Sequence, residues 1–125
     1  MKAILAACLL ITIALAGGAL WYSSRPLHFG PAFTGAPEPG IGKLLAEPAS
    51  FTDREIRVAG RITRQCPSAG CWFYLDDGSG PQIKIELGAM GLKFPQHLGR
   101  PAIVEGRLLT SGKAPELIGT SVEFR

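Results

Sequence analysis

The stretch Arg54-Glu55-Ile56-Arg57-Val58-Ala59-Gly60-Arg61-Ile62-Thr63-Arg64-Gln65 admits two readings, and the choice between them decides the fold. As a strand it puts Ile56, Val58, Gly60 and Ile62 on one face and Arg57, Ala59, Arg61 and Thr63 on the other. As a helix it would gather Arg54, Arg57, Arg61 and Arg64 into one basic stripe, because side chains three and four apart are neighbours there. The β-branched Ile56, Val58, Ile62 and Thr63 favour a pleated surface, and Gly60 weakens a helix interior. The strand reading is the better one.

The chain downstream agrees. Cys71-Trp72-Phe73-Tyr74-Leu75-Asp76 reads as a second strand, closed by the turn Asp77-Gly78-Ser79-Gly80. Gln82 to Leu87 alternates cleanly, with Ile83, Ile85 and Leu87 against Gln82, Lys84 and Glu86. Gly88 to Gly99 loses the alternation and has room for one helical turn around Met90-Gly91-Leu92. Pro101–Thr110 and Glu116–Phe124 supply a fourth and a fifth strand, parted by Ser111-Gly112-Lys113. Short strands in this order, with a break after the third, predict an all-β, five-stranded OB-fold-like barrel. Gly60 and Gly106 fall mid-strand, where a small barrel needs bends or bulges. The expected core is Ile56, Val58, Ile62, Ile83, Ile85, Val104 and Val122.

Upstream of the first strand the chain changes character. Ala3 to Tyr22 carries no charge, and this one stretch holds much of the 46% hydrophobic content. Twenty residues at about 1.5 Å rise can cross a hydrocarbon core of roughly 30 Å. Trp21-Tyr22 suits the water–lipid boundary, and Lys2 is a minimal positive flank. The stretch 1–22 is therefore read as a signal-anchor, with cleavage after Ala14-Leu15-Ala16 as the rival. Lipidation at Cys8 is disfavoured by the short apolar run before it. Either reading places the folded part outside the cytoplasm, single-pass on the membrane or secreted if the leader is removed. Residues 23–40 hold Pro26, Pro31, Pro37 and Pro39 among glycines and read as a semi-stiff linker, in which His28 is expected simply to be exposed. Ile41 to Pro48 reads as a short helical turn that opens the domain 41–125.

The set Gly60-Arg61-Ile62, Phe73-Tyr74-Leu75-Asp76-Asp77, Val104-Glu105-Gly106 and Leu117-Ile118-Gly119 resembles OB-fold domains of the tRNA-anticodon-binding-like superfamily. With Cys66 and Gly70-Cys71-Trp72 added, it resembles small bacterial extracytoplasmic OB domains bearing a G-C-W strand. A more distant likeness is to membrane-tethered haem chaperones of cytochrome c maturation. Those carry a C-terminal haem-binding histidine, and this chain has none after His97, which argues against haem.

Cys66 and Cys71 flank Pro67-Ser68-Ala69-Gly70 and are expected at facing ends of the first hairpin, within disulfide reach. Outside the cytoplasm an oxidised pair is the default, so a hairpin disulfide comes first. The alternative is a dithiol that binds a soft metal or exchanges disulfides, with His97 or Met90 as further ligands if the fold brings them close. Trp72 and Tyr74 share one strand face and Phe73 takes the other, leaving open which face is the core. With Arg57, Arg61 and Lys84 they form the candidate ligand surface, since OB domains stack ligands on aromatics of these strands. Asp76 and Asp77 read as turn residues that satisfy backbone donors.

Composition narrows the function classes. With 13 basic and 10 acidic residues, and Lys2 in the leader, the exported part carries about +2, which demands no polyanionic partner. No serine–histidine–carboxylate set, H-E-x-x-H, phosphate loop or C-x-x-C-H motif is present. The chain is read as a non-enzyme without a cofactor, tethered to the membrane and presenting its barrel to a protein or small-ligand partner. Metal or cofactor handling through Cys66 and Cys71 is the first alternative, and oligonucleotide or oligosaccharide binding the second. An exported domain meets little nucleic acid.

Overall fold

A computed structural model describes every residue from Met1 to Arg125. The apolar N-terminal segment forms the helix α1, Lys2–Ser23, with no buried residue. It is long and apolar enough to cross a membrane, a property signal sequences share. Just beyond it, the Arg25 guanidinium lies 3.9 Å from the Trp21 ring centroid.

Strands β2 (Glu55–Gln65), β3 (Trp72–Asp76), β4 (Gln82–Glu86), β5 (Pro101–Leu109) and β6 (Glu116–Phe124) follow the expected order. β3 lies between β2 and β4, β4 runs parallel to β6, and β5 pairs with both β6 and β2, so the five strands close into a ring. This is the OB arrangement that the alternation predicts. β2 serves two partners. Residues 55–61 pair with β5 and residues 61–65 with β3, so the strand changes neighbour at Gly60 and Arg61. A Cβ at Gly60 would stand 2.6 Å from the Asp76 carbonyl oxygen, too close for any larger residue. The expected irregularity at Gly106 is a register shift between Glu105 and Gly106.

All seven expected core residues are buried, and Phe73, Leu75, Leu117 and Phe124 join them. Ile41 and Leu44 of helix α2 (Ile41–Ala46) are fully buried as well. The turn between β3 and β4 holds the start of this helix. Asp77 Oδ2 accepts from Ile41 N–H at 2.8 Å, and Ser79 Oγ accepts from Gly42 N–H at 3.0 Å. The same turn satisfies its own donors, Gly78 N–H on Asp76 and Ser79 N–H on Asp77, as its sequence implies. Between β4 and β5 the single helical turn is Gly88–Met90, slightly earlier than expected, and Phe94 drops from the same loop into the core.

The stretch read as a linker behaves differently. Leu27–Phe29 forms strand β1, antiparallel to the end of β6, on the edge that β4 leaves uncovered. Phe29 packs edge-on against Phe94 and Phe124, with centroids 5.2 and 5.9 Å away. His28 is engaged rather than merely exposed: its Nε2 lies 2.7 Å from the Pro31 carbonyl and its Nδ1 3.6 Å from Glu123. Ser121 Oγ donates to that same carbonyl at 2.8 Å, and Arg57 N–H donates to Pro37 O at 2.8 Å. Residues 27–37 are thus a strap along the barrel, and only Ser24–Pro26 bridge α1 to β1. The strap shows no periodicity because polar main-chain contacts hold it, and these impose no pattern on its side chains.

Candidate surface on the outer face of β3 and β4

Phe73 points inward and is fully buried, which sends Trp72 and Tyr74 to the outer face. Their rings meet edge to face with centroids 6.1 Å apart, a favoured aromatic geometry. Register carries the surface across four strands: Arg64 opposes Tyr74, Tyr74 opposes Lys84, and Lys84 opposes Glu116. The Arg64 guanidinium lies 5.0 Å from the Tyr74 ring centroid, within cation–π range. Lys84 Nζ stands 3.6 Å from both Glu86 and Glu116. Tyr74, Lys84 and Glu116 then continue into a cleft of about 290 Å³, roofed by Lys113 and Pro115 of the β5–β6 loop.

Of the expected ligand residues, Trp72, Tyr74 and Lys84 are brought together. Arg57 and Arg61 are not, because they lie on the part of β2 that pairs with β5. Arg57 Nη2 donates to Glu105 Oε1 at 3.0 Å, and its guanidinium sits 4.8 Å from the Phe33 ring. Glu105 is almost wholly buried and also accepts from Thr34 N–H, Thr34 Oγ1 and Ala36 N–H. Burial pushes its carboxyl pKa up, but the Thr34, Arg57 and Ala36 donors outweigh that and hold it below the ordinary value. Arg61 donates to Gly99 O at 2.6 Å and lines a separate, open groove of about 630 Å³ with Thr63, Asp76 and Arg125. Asp77 is likewise committed: burial raises its carboxyl, but Ser79 and the Ile41 N–H outweigh that and hold it below the ordinary value. Arg64 was missed by sequence reasoning, because a tight hairpin pairing Cys66 with Cys71 would set it opposite Phe73; the register shift between Ile62 and Arg64 brings it opposite Tyr74 instead.

The cysteine hairpin departs from expectation in register. Gln65 opposes Phe73, and Cys66 N–H donates to Trp72 O at 3.0 Å, so Cys66 faces Trp72 rather than Cys71. The loop is wider because Gly70 N–H returns to Cys66 O at 3.1 Å, closing a turn over residues 66–70 with Gly70 in the left-handed region at φ 63°. Both cysteines are free thiols here, close enough to influence one another's ionisation. Cys66 is buried, with Sγ 3.3 Å from Ser68 Oγ. The Ser68 hydroxyl and the N–H groups of Ala69 and Ser68 lower the Cys66 thiol to about 6, against the opposing pull of burial. Burial raises Cys71, with Cys66 and Glu86 pushing the same way. No third histidine, cysteine or carboxylate gathers with the pair as a metal cluster would need. His97 Nε2 instead lies 2.7 Å from Arg125 O, and Met90 packs against the core.

No family model matches the sequence, and no curated protein matches it. Among solved structures, the fold is similar to the hypothetical protein ygiW from E. coli. That likeness has a TM-score of 0.52 at 11% identity, covering 74% of this chain and 100% of that one. The S. pombe Stn1–Ten1 complex matches at a TM-score of 0.43 and 21% identity, and the likeness spans 57% of this chain and 57% of that one. Ring topology and likeness together define the domain as an OB-fold barrel behind an N-terminal apolar helix.

Proposed function

We propose that this chain is a membrane-tethered, extracytoplasmic OB-fold binding module that presents the outer face of β3 and β4 to an extended segment of a protein partner. The single observation that carries the reading is the Trp72–Tyr74 pair, half-buried beside the cleft under the β5–β6 loop. Half-buried aromatics offer large contact area at low entropic cost, and interface cores favour them. Charge distinguishes the partner class. Arg64, Lys84 and Lys113 alternate with Glu86 and Glu116, a mixed pattern that suits a peptide better than a polyanion, which would need a uniformly basic stripe.

The anchor reading draws on α1, with Lys2 and the Met1 amino group before it against Arg25 as the only basic residue close to its other end, a balance that favours export of the barrel. In that compartment Cys66 and Cys71 are oxidised to one another and close the hairpin. The G-C-W element, Gly70-Cys71-Trp72, fits the same location.

A photoreactive amino acid at position 74 of the membrane-borne chain tests the surface. The expected result is a crosslink to one discrete protein, lost in Trp72→Ala and absent from the same probe at Arg107 on another face. Equal crosslinking from both positions would overturn the assignment. A reporter fused after Arg125 that is active only in the cytoplasm would overturn the topology.

A further inference from the structure

We infer that the Cys66–Cys71 bond is an exchangeable disulfide delivered to a dithiol of a docked protein, with Cys71 as the attacked sulfur and Cys66 as the leaving group. Three observations carry this. First, the hairpin is held without the bond. Cys66 N–H to Trp72 O, Gly70 N–H to Cys66 O and Leu87 N–H to Cys71 O, at 3.0, 3.1 and 2.7 Å, fix its register and end. The facing loop braces it further: Phe94 N–H donates to Ala69 O at 2.9 Å, and Gln96 Nε2 donates to Cys66 O at 2.9 Å. A Cβ on Gly70 would meet the Phe94 carbonyl oxygen at 2.8 Å, so the two loops are in close contact. A covalent staple there would repeat what the main chain already does.

Second, the two residues differ in exposure. Cys66 is buried, whereas Cys71 is partly exposed just before β3, next to Trp72 of the proposed docking face. The more open residue, Cys71, is the one we assign to an incoming thiolate. Third, the donors are unequal in the opposite sense. The Ser68 hydroxyl and the loop N–H groups surround Cys66 and stabilise its anion, which makes it the better leaving group. A disulfide whose reduced form is stabilised in this way is the more oxidising, and strained or exposed bonds of that kind are the exchangeable ones.

The chemistry balances. A partner thiolate attacks Cys71 Sγ; the Sγ–Sγ bond breaks and its electron pair stays on Cys66. The second partner thiol, as thiolate, then attacks the partner sulfur of the mixed disulfide, closes the partner's own disulfide and releases Cys71. Two electrons pass from the partner dithiol to the pair. Of the two partner protons, Cys71 takes one, in keeping with its raised pKa, and solvent takes the other. A small-molecule disulfide from the same compartment restores the bond.

The inference rests on the proposed export for its oxidant and on the proposed docking face for its protein partner, but the exchange chemistry is read out with glutathione alone, so the test separates them. Purified full-length protein is equilibrated with reduced and oxidised glutathione at pH 7, quenched in acid and analysed by mass spectrometry. The pair is expected to titrate within this series, with mixed-disulfide glutathione on Cys71. Ser68→Ala should make the pair about fivefold harder to reduce, the effect at pH 7 of one pKa unit on a thiol near 6, and Ser68→Thr should restore it. A bond that stays intact in excess reduced glutathione, glutathione found on Cys66, or a Ser68→Ala midpoint equal to wild type would each overturn the inference. Failure of crosslinking at position 74 leaves these readouts untouched.

Discussion

Arg57 and Arg64 lie on one strand and look alike in sequence, yet Arg57 sits opposite β5 and Arg64 opposite β3. Arg57 is locked to the buried Glu105 and helps to hold the strap, whereas Arg64 stands exposed over the ring of Tyr74. β2 changes partner between them, at Gly60–Arg61, and an irregularity between Ile62 and Arg64 then returns Arg64 to the outer face opposite Tyr74. The lesson is that charge in a small barrel is sorted by pairing, not by proximity along the chain. One side uses its arginine to neutralise a buried carboxylate. The other keeps it available beside aromatics and a cleft.

The strongest way to break this contrast is to remove Glu105. Glu105→Ala should cost about 3–5 kcal/mol in denaturant unfolding, because Arg57, Thr34 and Ala36 lose their shared acceptor in a buried place. pH sharpens the same point. The folded carboxyl titrates below its unfolded value, so its contribution is present above the unfolded pKa and lost as pH falls through the folded one. Glu105→Gln should therefore be less stable than wild type at pH 7, with the gap closing as pH drops below about 4. A gap that is constant with pH would mean the carboxylate charge does not hold the strap.

Next in size, Ile85→Ala should cost about 2–5 kcal/mol, since Ile85 is fully buried between Phe73 and Leu117 across the sheet. On the outer face the numbers shrink. Arg64→Ala should lose only about 0.5–1 kcal/mol, the range of an exposed cation–π contact, while weakening the crosslink from position 74. Smallest is Lys84→Ala, at less than about 0.5 kcal/mol despite two ion pairs, because half-exposed pairs at 3.6 Å are screened by solvent. A Lys84 loss equal to that of Ile85 would mean the inward face of β4 is misassigned.

Period and punctuation by themselves determined the barrel: strict alternation in Ile56–Ile62 and Gln82–Leu87, turn residues at 77–80, and glycines at the corners are local signals that survive any tertiary context. They also determined the core and the shared face of Trp72 and Tyr74, because a pleat fixes which residues lie together. Only the tertiary structure decided which face was outside, since burial depends on what the rest of the chain covers. It decided that residues 27–37 form a strap, because Thr34 and Ala36 find their acceptor at Glu105, about seventy positions away and without a pattern to announce it. It placed Cys66 opposite Trp72 instead of Cys71, because Gly70 N–H closes a wider turn than the count of intervening residues implies. The unequal surroundings of the two sulfurs were equally illegible: burial and donor geometry are properties of folded space, and a string of residues carries them only after the main chain has closed.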